Sequence, residues 1–301
     1  MTREEQPLKV AVATATRAGR KDFNEDSVFG VDAPPVFHPL RALAVVADGV
    51  GGGQHGAAAS AAAVMALRTH ISGAYSPLCA GEAPPQGADV LRDALYEADR
   101  QVSAGPAAGG STTCVAACVC EGMAFVGNVG DSRAYLYRDA VLRQITSDDA
   151  VGEWDVWDDS GNQSRLTNWL GGMPHPPTVV ELPLAPGDAL ILCSDGLFSV
   201  VDAGRIAAIL GECGGGREAV ERLLDKAQVF GAEDDISVAI VSVAAPEAPP
   251  APEAPAAPVE EPRAVTGGWL IRAALYAAAA NLVLTGAVLV ALLLLLNALQ
   301  P

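Results

Sequence analysis

Short acidic clusters stand at the ends of apolar runs all along this chain, and that placement restricts its fold more than any other feature. Asn24-Glu25-Asp26, Asp48-Gly49, Asp131-Ser132-Arg133, Ser194-Asp195-Gly196 and Glu233-Asp234-Asp235 each adjoin such a run. Leu40 to Ala47, Ala124 to Val129 and Ala189 to Cys193 read as β-strands. A carboxylate just past a strand end lies at a sheet edge, where several such positions can converge. Converging carboxylates repel strongly at low dielectric and call for a divalent cation. All-oxygen donors select a hard ion, Mg2+ or Mn2+, over zinc, which prefers His and Cys. Taken singly, each carboxylate has another reading as a turn or capping residue that serves its own hydrogen bonds.

Length and charge narrow the classes further. The 301 residues, half of them hydrophobic, suffice for one large domain plus extensions. A formal charge of −17 argues against a nucleic-acid partner, since a phosphate polymer would be repelled. The segment Met1 to Lys9 is polar, so no signal peptide is expected. Cys79, Cys114, Cys118, Cys120, Cys193 and Cys213 show neither a CxxC pair nor a disulfide framework. Cys114, Cys118 and Cys120 share one strand face and read as small core residues, which fits a reduced, cytosolic compartment.

Three zones follow one another. Residues 1–245 mix strand-like and helix-like segments in a catalytic-sized domain. Residues 246–268 begin with a Pro/Ala/Glu stretch that cannot build a core and is expected to be an extended spacer. Within residues 269–297, the run Ala273 to Leu296 is almost wholly apolar and uncharged. At about 1.5 Å per residue such a helix is roughly 36 Å long, enough to cross a bilayer with some tilt. Arg263 and Arg272 precede the run, Trp269 lies at its edge, and no cation follows in residues 298–301. The flanking charge predicts a cytoplasmic catalytic domain on a single span.

Within the large domain, strands are expected at Val10–Thr16, Ser27–Val31 and Arg41–Ala47, and helices at Gly56–Ile71 and Ala88–Ser103 with loop between. Thr112–Cys120, Met123–Val129, Ala134–Arg138 and Val141–Ile145, with turn-length gaps, predict an antiparallel meander. Thr178–Leu182, Ala189–Cys193 and Ile236–Val243 add strands, and Arg217–Val229 a helix. Hairpins and paired helices in this order indicate an α+β fold, not a repeating βαβ one.

The loop Gly51-Gly52-Gly53-Gln54-His55-Gly56 matches GxGxxG after a strand and before a helix. A dinucleotide site also needs an acidic residue about 20 positions on, and residues 70–80 hold none. No GK[ST] follows, so a phosphate-binding P-loop fails too. The arrangement resembles instead the metal-dependent, type 2C serine/threonine protein phosphatases. The resemblance rests on RKDFNEDS (20–27), VADGVGGG (46–53), GGSTT (109–113), GNVGDSRAYL (127–136), QITSDD (144–149), LTNWLGG (166–172), LAPGDALILCSDGL (184–197) and EDDISVAIV (233–241), all in the family's order.

That resemblance implies a four-layer α-β-β-α sandwich of two antiparallel sheets, with two Mn2+ or Mg2+ ions in a cleft at one end. Carried over by position, Asp48 would bridge both ions, and the Gly49 carbonyl and Glu25 would bind one of them. Asp195 and Asp234 would hold the other, with Asp235 as the alternative register. Asp131 would join Asp195 at a weak third site, and Asp26 would hold water around the metals. A water between the cations would lose its proton near neutral pH and attack phosphorus in line, with no covalent phosphoenzyme. The partners so implied are phosphoprotein substrates and a Ser/Thr protein kinase near the membrane.

The chain departs from the family pattern in places. Lys21, beside Arg20, stands where an Arg usually binds the substrate phosphate, and Lys lacks its bidentate fork. Val50 stands where some members carry a His acting as acid, and His55 nearby has no evident partner. The acidic segment between Asp149 and Leu166, with Trp154 and Trp157, is shorter than the usual flap. These departures leave two rival readings: a pseudophosphatase that binds phosphoproteins without turnover, and a regulatory phosphatase acting on a partner-switching phosphoprotein.

Overall fold

The computed structural model describes residues 8–20, 23–50, 54–76, 84–104, 107–151 and 165–244. All of them lie in the first of two units, Met1–Glu247. The second unit, Ala248–Pro301, lies outside the described residues, and with it the expected apolar span at 273–296. Among the described residues, no helix is long and apolar enough to cross a membrane.

The chain opens with β1 (Val10–Arg17), β2 (Ser27–Asp32), β3 (Leu40–Ala47) and the short β4 (Gly49–Val50). Helices α1 (Gln54–Ala74) and α2 (Gly87–Ala104) follow. Next come β5 (Ser111–Thr112), β6 (Cys114–Cys120), β7 (Met123–Val129), β8 (Arg133–Arg138) and β9 (Val141–Gln144). A two-stranded ribbon, β10 (Ala150–Val151) with β11 (Arg165–Leu166), precedes β12 (Thr178–Pro183) and β13 (Ala189–Cys193). The chain then forms α3 (Asp195–Phe198), α4 (Ala203–Cys213), α5 (Arg217–Val229) and β14 (Ile236–Val243).

Two five-stranded antiparallel sheets result, ordered β1-β14-β13-β8-β9 and β12-β7-β6-β3-β2. Ala42, Ala44, Val46, Val115, Leu190, Leu192 and Val241 fill the space between them. The outer face of the second sheet packs on α1 and α2 through residues such as Leu43, Val45, Leu67 and Leu91. The outer face of the first packs on α4 and α5 through Ile191, Ile206, Leu210 and Leu223. Strands buried on both faces read as continuous apolar runs instead of alternating ones, and β3, β6 and β13 are such runs. The α+β reading with two antiparallel sheets and outer helices is borne out. Cys114, Cys118 and Cys120 are buried on the helix-facing side, as expected of core residues.

Two expectations are corrected. The four strands from 112 to 145 form no meander: β6 and β7 pair in one sheet, β8 and β9 in the other. The chain changes sheets at Gly130-Asp131-Ser132, a gap as short as a hairpin turn. Helix α4 was not anticipated, although its signals are present: Asp202 accepts from the Arg205 N–H at 3.0 Å as an N-cap, and Ile206, Ile209 and Leu210 recur at helical spacing.

Candidate active site

Strand register brings the acidic clusters to one pole of the sandwich. Ser27 faces Ala47, so Glu25-Asp26 before β2 and Asp48 after β3 share an end. Cys114 faces Val129, Arg133 faces Cys193, Cys193 faces Val238, and Arg17 faces Ile236. The residues just beyond these pairs are Asp131, Ser194-Asp195, Asp234-Asp235 and Gly19-Arg20. Carboxylates far apart in sequence therefore gather because antiparallel strands of both sheets start or stop there.

Their burial differs. Glu25, Asp26, Asp131 and Asp235 are buried, while Asp48, Asp195 and Asp234 keep partial exposure. Desolvation first, then the charges of Asp26, Asp195, Asp234 and Asp131, raises the Asp48 carboxyl well above the ordinary range. Burial pushes Asp26 up to about 7, opposed by hydrogen bonds from Ser237 and Ser194 and reinforced by Asp235 and Asp234. Burial likewise pushes Asp131 up to about 6, with Asp148 and Asp149 adding to it and Arg133 opposing. Such mutual repulsion is what a bound cation relieves.

A polar framework holds these groups. Asp235 is committed to the backbone: Oδ1 accepts from Gly19 N–H at 2.9 Å and Oδ2 from Glu25 N–H at 2.7 Å. It ties the loop bearing Glu25 to the segment that carries Asp234 into β14. Ser194 Oγ donates to Asp26 Oδ2 at 2.8 Å, and Asp26 N–H donates to Asn24 Oδ1 at 2.9 Å. The Asp48 carbonyl accepts from Thr112 Oγ1 at 2.7 Å and Thr113 N–H at 2.9 Å. Thr113 Oγ1 meets Ser132 Oγ at 2.7 Å, beside Asp131. Arg133 forks onto Asp148 and stacks on the Phe198 ring, 3.8 Å from its centre.

Gly49 and Gly56 show how close the packing is. A Cβ on Gly49 would lie 2.4 Å from the Gly56 carbonyl oxygen, and one on Gly56 would lie 2.7 Å from Glu25 Oε1. The α1 backbone thus presses against both Gly49 and Glu25. Only glycine permits that approach.

The donor set fits a hard divalent cation: it consists of carboxylates and a carbonyl whose charges oppose one another. Among the described residues, no group of three His, Cys, Asp or Glu side chains is closed up tightly enough to hold an ion as it stands. Arg20 is exposed and pairs with Glu233 at 2.9 Å. Lys21, the loop residues 51–53 and the flap residues 152–164, with Trp154 and Trp157, lie outside the described residues. Sequence reasoning assigned no role to Thr112, Thr113, Ser132, Ser194, Asp149 or Asn168. The signal was available, because each sits in a motif quoted above for its carboxylate or glycine neighbours.

The chain is similar to known proteins in sequence and in fold. A family described as Protein phosphatase 2C matches residues 16–215. The serine/threonine phosphatase stp of Listeria monocytogenes is 33% identical over 216 residues, 66% of this chain and 83% of that protein. The serine/threonine protein phosphatase PstP of Mycobacterium tuberculosis is 31% identical over 242 residues, 73% of this chain and 42% of PstP. A crystal structure of the PstP catalytic domain in complex with 2 manganese ions aligns with a TM-score of 0.63 at 28% identity, covering 79% of this chain and 99% of that one.

Proposed function

This chain belongs to the protein phosphatase 2C family and is a serine/threonine protein phosphatase of the bacterial type, and from that premise we propose that it works at a two-cation centre built around Asp48. The carrying observation is geometric: the register of both sheets brings Glu25, Asp26, Asp131, Asp195 and Asp234 to the pole where Asp48 follows β3. Asp48, the Gly49 carbonyl, Glu25, Asp195 and Asp234 would hold two Mn2+ or Mg2+ ions, and Asp131 a weaker third. Cations bound there would lower the pKa of water and offset charge on the phosphoryl group.

The chain's own residues prepare the site. Asp235 and Ser194 fix the loops bearing Glu25 and Asp26 before substrate arrives. Thr112 and Thr113 hold the backbone at the end of β3 that carries Asp48. That preorganisation costs no rearrangement during reaction and is the main source of rate for phosphate-ester hydrolysis. Lys21 and Arg20 supply positive charge for the substrate phosphate, Lys21 as a point charge.

The substrates would be phosphoserine and phosphothreonine proteins, with a Ser/Thr kinase as the opposing activity. The chain would be organised as catalytic domain 1–245, linker 246–268, span 269–297 and tail 298–301. Arg263, Trp269, Arg272 and the apolar run after them support a cytoplasmic domain on a single span.

The test is phosphate release from a phosphothreonine peptide by the full-length chain with Mn2+, with Mg2+ and with chelator, beside Asp48→Asn. Turnover that needs the metal and falls at least about a hundredfold in Asp48→Asn is expected. Turnover unchanged by chelator or by Asp48→Asn would sink the two-cation reading.

A further inference from the structure

On α2, one oxygen of Asp99 collects three successive backbone donors. Its Oδ1 accepts from the N–H groups of Gly171, Gly172 and Met173, each at 2.9 Å. Gly171 and Gly172 have φ of 105° and 112°, where L side chains are strained. Consecutive N–H groups turned toward one point form a nest that suits an anion, and here the protein supplies that anion itself.

The turn so held touches two parts of the site. Leu170, immediately before it, exchanges backbone hydrogen bonds with Thr112 at 2.8 and 3.1 Å. Thr112 in turn donates through Oγ1 to the Asp48 carbonyl. On the other side, Asn168 Nδ2 donates to Asp149 Oδ2 at 3.1 Å. That same oxygen accepts from Gly130 N–H at 3.1 Å, one residue before Asp131. Thr167 N–H also donates to the Asp149 carbonyl at 2.8 Å, at the base of the β10–β11 ribbon.

We propose that Asp99 is a positioning residue for the metal-binding carboxylates Asp48 and Asp131, acting through the turn 168–173; this rests on the two-cation reading above. The Asp99 charge fixes the nest, the nest fixes Leu170 and Asn168, and those two brace loops from different sheets. Asp99 itself touches neither cation nor substrate.

The experiment measures Mn2+ binding to the full-length chain by titration calorimetry, together with kcat and KM on a phosphothreonine peptide. Asp99→Ala is expected to weaken Mn2+ binding about tenfold, as loss of a group supporting metal ligands commonly does. Its kcat should fall while KM for peptide at saturating Mn2+ stays close to wild type. Leu91→Ala, a fully buried position on the same helix, controls for lost stability alone and should leave Mn2+ affinity unchanged. Asp99→Asn keeps an acceptor oxygen without the charge and should weaken binding in the same direction, but less. It decides the matter if Asp99→Ala does not fold. Wild-type Mn2+ affinity in Asp99→Asn and in any folded Asp99→Ala, or a loss no larger than that of Leu91→Ala, overturns the assignment. A wild-type chain that binds no Mn2+ overturns the two-cation reading and this role with it.

Discussion

Two adjacent aspartates, Asp234 and Asp235, have identical side chains and opposite surroundings. Asp235 is buried, with both carboxylate oxygens accepting from backbone N–H groups of Gly19 and Glu25. Asp234 is half-buried, its Oδ1 accepts from the adjacent Asp235 N–H at 2.8 Å, and it acts electrostatically on Asp48. The sequence alone leaves this register open, because the partners that commit Asp235 lie 216 and 210 positions away. Geometry favours Asp234 as the proposed ligand and makes Asp235 the clamp. Asp234→Asn should therefore stay folded while losing Mn2+-dependent turnover. Asp235→Ala should cost roughly 1–3 kcal/mol in urea unfolding for each buried N–H it leaves unpaired. The reverse pattern, a stable but inactive Asp235→Ala beside an active Asp234→Asn, would exchange the two roles.

Among elements, β3, β7 and β13 were legible because each is a buried apolar run with an acid one or two residues beyond it. Their division between sheets was not. The turns at Glu121-Gly122 and Asp139-Ala140, all at positive φ, close true hairpins. The three-residue Gly130–Ser132 gap, only one residue longer, instead carries the chain across to the other sheet. Local pattern cannot separate these cases. The difference lies in Thr113, against which a Cβ on Gly130 would lie 2.8 Å away, and in Asp149, which binds the Gly130 N–H.

Loops from both sheets thus carry like charges to one place, and this has a consequence for stability. Asp26 and Asp131 have folded pKa values raised from 3.8 to about 7 and about 6. A carboxyl raised on folding binds its proton more tightly in the folded state, so it favours folding at low pH. That contribution is lost as pH climbs from 3.8 through the folded values. In chelator, the melting temperature should fall between pH 5 and pH 7.5. Saturating Mn2+ should recover it most at the higher pH, where the carboxylates are charged. A metal-free melting temperature that is flat or rises over this range would show that burial, with the neighbouring charges, does not raise these two carboxyls as placed.

The proposed membrane tether belongs to the whole molecule, since neither the catalytic unit nor the apolar run implies it alone. The catalytic unit completes both sheets by Val243, the end of β14. The Pro246–Pro262 stretch, extended at about 3.1 Å per residue, would span roughly 50 Å. A domain held on such a spacer meets membrane-bound phosphoproteins at an effective concentration on the order of millimolar, while soluble substrates gain nothing. Fragment 1–245 should therefore match the full chain in kcat/KM on a soluble phosphothreonine peptide. In cells it should leave the membrane fraction, and phosphorylation of membrane-associated proteins should rise. The full chain should sediment with membranes and resist extraction by high salt, since its anchorage would be hydrophobic and not electrostatic. Release by salt would point to a peripheral attachment. Equal dephosphorylation of membrane-associated proteins by fragment and full chain would remove any role for the tail in choosing substrates.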